Sequence, residues 1–357
     1  MTYSPWPMAK RVTFRAVALL LSVVALGYYY RAYRLHSISA TLATPNGINE
    51  GLFVRIGGIE QWITIRGQDR HNPALLLLHG GPGNAFQSFT RAVFSEWERV
   101  FTVVQWDQRG AGRTFGRSGP VDDTVTLDRM VLDAAEVAEF ARRKVGQDKV
   151  ILVGLSWGSL LGIRLAKGRP DLLSAYVGTG QVVNYRAGKV QAYAQLLAEA
   201  HARQDDQAIQ ELQAIGSPPY DSISKSAVYT RWANRYEPSM PSRWTLISTV
   251  LFESDASIQD LRNLMAGIRS SEDHFRSMMD SMDLPTLGTD FNVPIFVFQG
   301  EADNVAPVAQ IRPYIDSIHA PRKELVLMHG AGHNAIVTKN HEFVRLLIER
   351  VRPLAVW

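Results

Sequence analysis

Short apolar runs alternate with helix-period stretches along most of the chain. Residues 74–78 (ALLLL), 100–106, 150–153, 174–177, 293–298 and 324–328 are continuous or nearly continuous apolar segments. That length and pattern suits strands buried on both faces. Between them, residues 127–145 place Met130, Val131, Ala134, Val137, Ala138 and Phe140 on one face of an amphipathic helix. Leu160, Leu161, Ile163, Arg164 and Leu165 likewise take helical spacing, and Gly168 and Pro170 end that helix. Further helices are expected at 308–317 and from about 341 to 351. Residues 52–56 and 59–66 read as a hairpin turning at Gly57-Gly58. Strands alternating with helices imply an α/β fold: a mostly parallel central sheet with helices on both faces.

Two stretches break this rhythm. From about 181 to 290 the chain is helical, richer in Gln, Arg, Met and Trp, and carries no buried-strand run. It reads as a helical cap inserted over the strand ends, where ligands bind in open α/β sheets. At the other extreme, Lys10, Arg11 and Arg15 precede the apolar run 16–30, and Arg31 and Arg34 follow it. Tyr28, Tyr29 and Tyr30 resemble an interfacial belt, and no A-x-A site closes the run. An uncleaved signal anchor is the expectation; a cleaved signal peptide, leaving a secreted protein, and a buried core helix are the alternatives. The slight excess of positive charge before the run puts the N-terminus inside and the body outside the cytoplasm. Residues 36–50 read as a polar linker. The expected organisation is an N-terminal signal anchor over 1–35, core over 36–180, cap over 181–290 and core again over 291–357.

Composition narrows the chemistry. The 357 residues suffice for one large α/β domain with an insertion. The net charge of +4 is mild and concentrated near the N-terminus, with no basic patch interleaved with aromatics, which argues against nucleic acid. The absence of cysteine excludes disulfides, thiol catalysis and Cys-ligated metals. No H-E-x-x-H, P-loop or G-x-G-x-x-G pattern occurs, so neither a metal nor another cofactor is expected.

The chemistry-bearing motif is Gly154-Leu155-Ser156-Trp157-Gly158, a G-x-S-x-G between a strand and a helix. Such a turn holds the serine in a strained backbone region with its hydroxyl above the strand end. A serine hydroxyl needs a base and an orienting acid, and in this architecture the chain order is Ser, Asp or Glu, then His. Gln299-Gly300-Glu301-Ala302-Asp303 and Gly330-Ala331-Gly332-His333 follow two later strands. Asp303 is the orienting carboxylate expected, with Glu301 in reserve. His333 is the base, with His329 as rival. Taken singly, Asp303 reads as a turn aspartate and either histidine as structural. Backbone N–H groups of Gly81, in the turn His79-Gly80-Gly81-Pro82-Gly83, and of Trp157 are the expected oxyanion donors.

His79-Gly80-Gly81-Pro82-Gly83, Trp106-Asp107-Gln108-Arg109-Gly110-Ala111-Gly112 and Gly154-Leu155-Ser156-Trp157-Gly158-Ser159, in that order, resemble the prolyl aminopeptidase (proline iminopeptidase) branch of the α/β-hydrolases. The resemblance implies an α/β-hydrolase fold with Ser156 as nucleophile, Asp303 orienting His333, and Gly81 and Trp157 as the oxyanion hole. It implies release of an N-terminal proline or small residue from small peptides, and bracing roles for Asp107 and Arg109. Two features depart from the pattern. Gly112 is followed by Arg113-Thr114-Phe115-Gly116 instead of Arg-Ser, and Trp232 is followed by Ala233 where relatives place an amine-binding glutamate. Glu237 and Glu253 are the cap carboxylates left as substrate-binding candidates, though each reads more readily as solvated surface charge. Trp232, Tyr236, Trp244 and Phe252 could line an apolar pocket or simply pack helices. Without an amine partner, an esterase or amidase acting on small apolar acyl compounds becomes the alternative; a non-catalytic hydrolase-like binding protein is a third. Ser156 argues against chemistry that needs an Asp nucleophile at the elbow.

Overall fold

Alternating residues of the central strands feed two different cores, which is why their runs are apolar throughout. In the computed structural model, residues 8–86, 93–238 and 242–355 are described. Strands β1 (Ile48–Ile56), β2 (Ile59–Gly67), β3 (Ala74–Leu78), β4 (Thr102–Asp107), β5 (Val150–Leu155), β6 (Leu173–Thr179), β7 (Ile295–Gly300) and β8 (Lys323–Met328) form one sheet in the order β1-β2-β4-β3-β5-β6-β7-β8. β2 is antiparallel to both β1 and β4, and all other pairs are parallel. Leu76, Leu78, Val104, Trp106 and Leu152 enter one core, whereas Leu75, Leu77, Val103, Ile151 and Val153 enter the other. This is the period of two expected of strands.

Helices α3 (Leu127–Val145), α4 (Trp157–Gly168) and α10 (Val308–Ser317) cover the first face. The segment α12 (Asn340–Leu346) covers the second with Phe343, Val344 and Leu346. α3 matches its sequence pattern to the residue: Thr126 caps its start by accepting from Arg129 N, Arg142, Arg143 and Lys144 occupy its last turn, and Gly146 ends it in the left-handed region. The chain reverses direction across the sheet at β3, whose neighbours β4 and β5 come later in sequence. The loops after β3, β4 and β5 therefore meet at a topological switch point.

Between β6 and β7 the described residues form α5 (Tyr185–Ala202), α6 (Asp206–Ile215), α7 (Ile223–Arg235), α8 (Arg243–Phe252) and α9 (Ile258–Asp280). The first three share a small core around Tyr193, Leu196, Leu212, Trp232 and Tyr236. α9 begins with a reciprocal Ser257–Asp260 capping box and lies across α2 (Gly112–Ser118). There Arg113 donates to Asp260 at 3.2 Å, and Ser271 donates to Gly110 O at 3.1 Å.

The N-terminal boundary differs from the sequence expectation. Helix α1 (Met8–Ala40) runs well past the apolar segment, leaving only residues 41–47 as linker before β1. Its extra turns are held by tertiary contacts to α8 that a local pattern does not show. The C-terminal helix keeps its expected extent, α12 running on into a π-helical turn over Leu347–Val351, with the short α11 (Ala335–Thr338) before it. α1 is long and apolar enough to cross a membrane, a property that a signal sequence shares.

Asp133, fully buried on α3, binds the hairpin to the loop after β4. It accepts from Arg109 Nε at 2.9 Å, Gln61 Nε2 at 2.9 Å and Arg129 Nε at 2.8 Å, and Arg109 also donates to Gly57 O. Asp133→Ala should destabilise by about 3–5 kcal/mol because it leaves the Arg109 charge without its buried partner. A lower urea midpoint with an unchanged slope is the expected reading, and an unchanged midpoint would dismiss the cluster as a stabilising element.

Candidate active site

Ser156 joins β5 to α4 with φ 52° and ψ −116°, a conformation costing a non-glycine residue about 1–3 kcal/mol. The turn is held by Ser156 N donating to Thr179 O at 3.0 Å and by Ser159 N and Oγ donating to Ser156 O. The flanking glycines are required by close approach. A Cβ on Gly158 would lie 2.3 Å from Leu78 O, and one on Gly154 2.5 Å from Gly158 O. Contact at that range lets the loop after β3 lie against the serine, where a Cβ on Gly80 would sit 3.5 Å from Ser156 Cβ. Gly81 follows in a glycine conformation, φ 123°.

One buried side chain fastens the three loops together. Gln108 accepts from Trp157 Nε1 at 2.9 Å, donates through Nε2 to His79 O at 3.1 Å, and donates through its backbone N to His79 Nε2 at 3.2 Å. Because Nε2 of His79 is an acceptor, its proton is on Nδ1, which lies 2.7 Å from Gly80 O. Burial lowers the His79 pKa to about 4, consistent with a neutral ring. Sequence reading assigned bracing to Asp107 and Arg109, and passed over Gln108 between them. Asp107 is nonetheless a brace: it accepts from Arg113 N at 2.7 Å, and burial pushes its pKa up to about 7 despite Arg113. Arg109 braces through Asp133, as described above.

The loops after β7 and β8 place Asp303 and His333 side by side. His333 Nδ1 is 2.9 Å from Asp303 Oδ2 and 3.1 Å from Oδ1. A carboxylate accepts only, so Nδ1 carries the proton and Nε2 is left as acceptor. Asp303 is wholly buried; its remaining lone pairs take Val305 N at 2.7 Å, Ala306 N at 2.8 Å and Gln299 Nε2 at 2.6 Å. On the serine side, a Cβ on Gly180, next to Thr179, would lie 2.8 Å from His333 Cε1. Ser156 and His333 thus approach the same short segment after β6.

The competing candidates separate cleanly. Glu301 and His329 pair with each other at 2.7 Å on the surface, with the His329 side chain 97% exposed, and neither joins Asp303 and His333. Glu237 is no solvated surface charge. Its carboxylate accepts from His333 N at 3.0 Å and Asn334 N at 2.9 Å, and it covers Gly332. Burial raises its pKa, opposed by those two donors. Glu253 departs from its expected place: it pairs with Arg34 of α1, because α8 docks on that helix. The four aromatics do not gather into a pocket either. Trp232 and Tyr236 are buried in the α5–α7 core, Phe252 stands edge-on to Tyr30, and Trp244 is exposed.

Residues 73–340 match the α/β-hydrolase fold family, and the chain belongs to it. Among relatives, it is similar to the probable aminopeptidase YbaC of Bacillus subtilis, 26% identical over 301 residues, 83% of this chain and 94% of that one. The probable proline iminopeptidase of Streptomyces coelicolor is 27% identical, covering 75% of this chain and 84% of its own. The structure of proline iminopeptidase from Mycobacterium smegmatis superposes with a TM-score of 0.63 at 21% identity, over 86% of this chain and 99% of that one. The fold and these relatives identify the protein as a hydrolase.

The His333 pKa reflects opposing influences. Burial works against the charged ring, but Asp303 and then Glu237 outweigh it and hold the pKa above the usual histidine value. If His333 is the base of the reaction, it must be neutral to accept a proton, so the acid limb of kcat/KM should lie above pH 6.5, the ordinary histidine value. Glu237→Gln removes one of the raising charges, so the limb should move to lower pH. A limb that stays in place would mean that the Glu237 charge does not act on the base.

Proposed function

We propose that the protein is a serine hydrolase working through an acyl-enzyme, and that its principal substrates are small peptides from which it releases an N-terminal proline or small residue. The observation that carries this reading is the buried Asp303–His333 pair beside a serine held in a strained strand-to-helix turn. Ser156 Oγ attacks the scissile carbonyl carbon while His333 Nε2 takes the hydroxyl proton. Asp303 holds the ring in the required tautomer and offsets the imidazolium charge. The backbone N–H groups of Gly81 and Trp157 receive the oxyanion, the latter at the positive end of α4. Collapse breaks the C–N bond, and His333 returns its proton to the leaving amine. Water, deprotonated by the same histidine, then releases the acyl group and restores Ser156. The aminopeptidase part rests on the relatives named above.

A second reading, an esterase or amidase on small apolar acyl compounds, is favoured by one observation. Both cap carboxylates singled out for the substrate amine are engaged elsewhere, Glu237 with the backbone at residues 333 and 334 and Glu253 with Arg34. A buried ammonium group without a carboxylate partner loses several kcal/mol through desolvation.

We further read α1 as a retained membrane anchor, with the catalytic body on the non-cytoplasmic side. Support comes from specific contacts of α1 with α8 and the turn after it: Arg31 donates to Leu251 O at 3.1 Å and Ala256 O at 2.9 Å, and Arg34 pairs with Glu253. A segment removed as a signal peptide would have no use for them. The organisation proposed is anchor 1–35, core 36–180 and 291–357, and cap 181–290.

The full chain in detergent should hydrolyse prolyl-anilide and reject N-acetyl-prolyl-anilide if it is an aminopeptidase. Turnover of a short-chain aryl ester with no preference for a free amine would replace that reading with the second. Ser156→Ala should lower kcat at least about a thousandfold without changing the unfolding midpoint, and retained activity would remove Ser156 as nucleophile.

A further inference from the structure

Tyr30 ends the apolar run of α1, and it is also where α1 meets the inserted helices. From Ala16 to Tyr30, at 1.5 Å per residue, the helix spans roughly 22 Å, and with Val12 and Phe14 flanking a snorkelling Arg15 it reaches the ~30 Å hydrocarbon thickness of a bilayer. Tyr28, Tyr29 and Tyr30 then stand at headgroup depth. The Tyr30 ring lies 5.3 Å from Phe252, the last residue of α8, edge to face. Arg31 and Arg34, the charges that would otherwise end the span in water, are consumed on α8 and the turn after it. These bonds fix the C-terminal end of α8 at the depth of the tyrosine belt.

A second face of α8 is apolar and, among the described residues, exposed. Trp244, Ile247 and Leu251 recur at helical spacing and are 47–70% exposed, and Ile258 at the start of α9 is 72% exposed. An aromatic and aliphatic stripe of this kind, next to a spanning helix, has the composition of an interfacial helix. We infer that α8 is a membrane-docking surface whose occupant is the lipid bilayer, so that the inserted helices lie on the membrane at a level set by α1. The inference rests on α1 being retained as an anchor. Its reach extends to the site, because α9 continues from Ile258 to Gly267, where a Cβ would meet Gly110 O at 2.6 Å, and one on Gly83 would meet Gly267 O at the same distance. The helix that follows the docking surface is thus packed directly on the turn after β3.

The chain contains no cysteine, so single-cysteine variants carry one label each. Full-length protein would be labelled with an environment-sensitive fluorophore at Ile247→Cys, Leu251→Cys, Leu20→Cys within α1, or Lys323→Cys on the far edge strand. Each variant is reconstituted in phosphatidylcholine–phosphatidylglycerol vesicles with and without brominated acyl chains. Brominated chains should quench most of the emission at Ile247, Leu251 and Leu20, while Lys323 responds only to aqueous iodide. Quenching at Leu20 but iodide access at Ile247 and Leu251 would overturn the docking surface and leave the anchor standing. Labels at Ile247 and Leu251 shielded from both quenchers would mean that protein, such as a second copy, covers α8. Aqueous access at Leu20 would overturn the anchor, and the docking surface with it.

Discussion

Gln108 is the joint on which the site depends. Three loops leave the C-terminal ends of β3, β4 and β5, and no strand ladder extends far enough to hold them together. One buried amide does so, with its donor on His79 O and its acceptor on the Trp157 indole. A buried polar group left without a partner costs about 1–3 kcal/mol, so these bonds are interdependent. Loss of Trp157's bond would free the helix start that carries a proposed oxyanion donor; loss of His79's would free the turn that carries the other. The neutral state of His79 belongs to the same arrangement, since a charged ring has no lone pair for Gln108 N.

The sheet was legible because each central strand is apolar on both faces, which only a covered parallel sheet demands. The order of serine, aspartate and histidine on three strand-end loops was legible for the same reason: the strands could be placed, so the loops could be counted. The choice within each loop was not. Glu301 and Asp303 are two residues apart, and His329 and His333 four. What separates them is depth: Asp303 and His333 pair inside the protein, whereas Glu301 and His329 pair at its surface.

The inserted helices were legible as helices and opaque as a surface. Glu237 meets residues 333 and 334, and Glu253 meets Arg34, across a hundred or two hundred positions of chain. Nothing in their neighbours announces either contact. Arg113, in the loop after β4, serves these helices through Asp260. The Trp232 that seemed to mark a lost amine site anchors the α5–α7 core and donates to Glu211 at 2.8 Å.

Glu237 has a mechanical consequence. It follows α7 in the inserted segment, yet its carboxylate is fastened to the backbone from which the His333 side chain projects. The inserted segment and the loop after β8 are therefore joined, and a shift of either one strains two hydrogen bonds to the other.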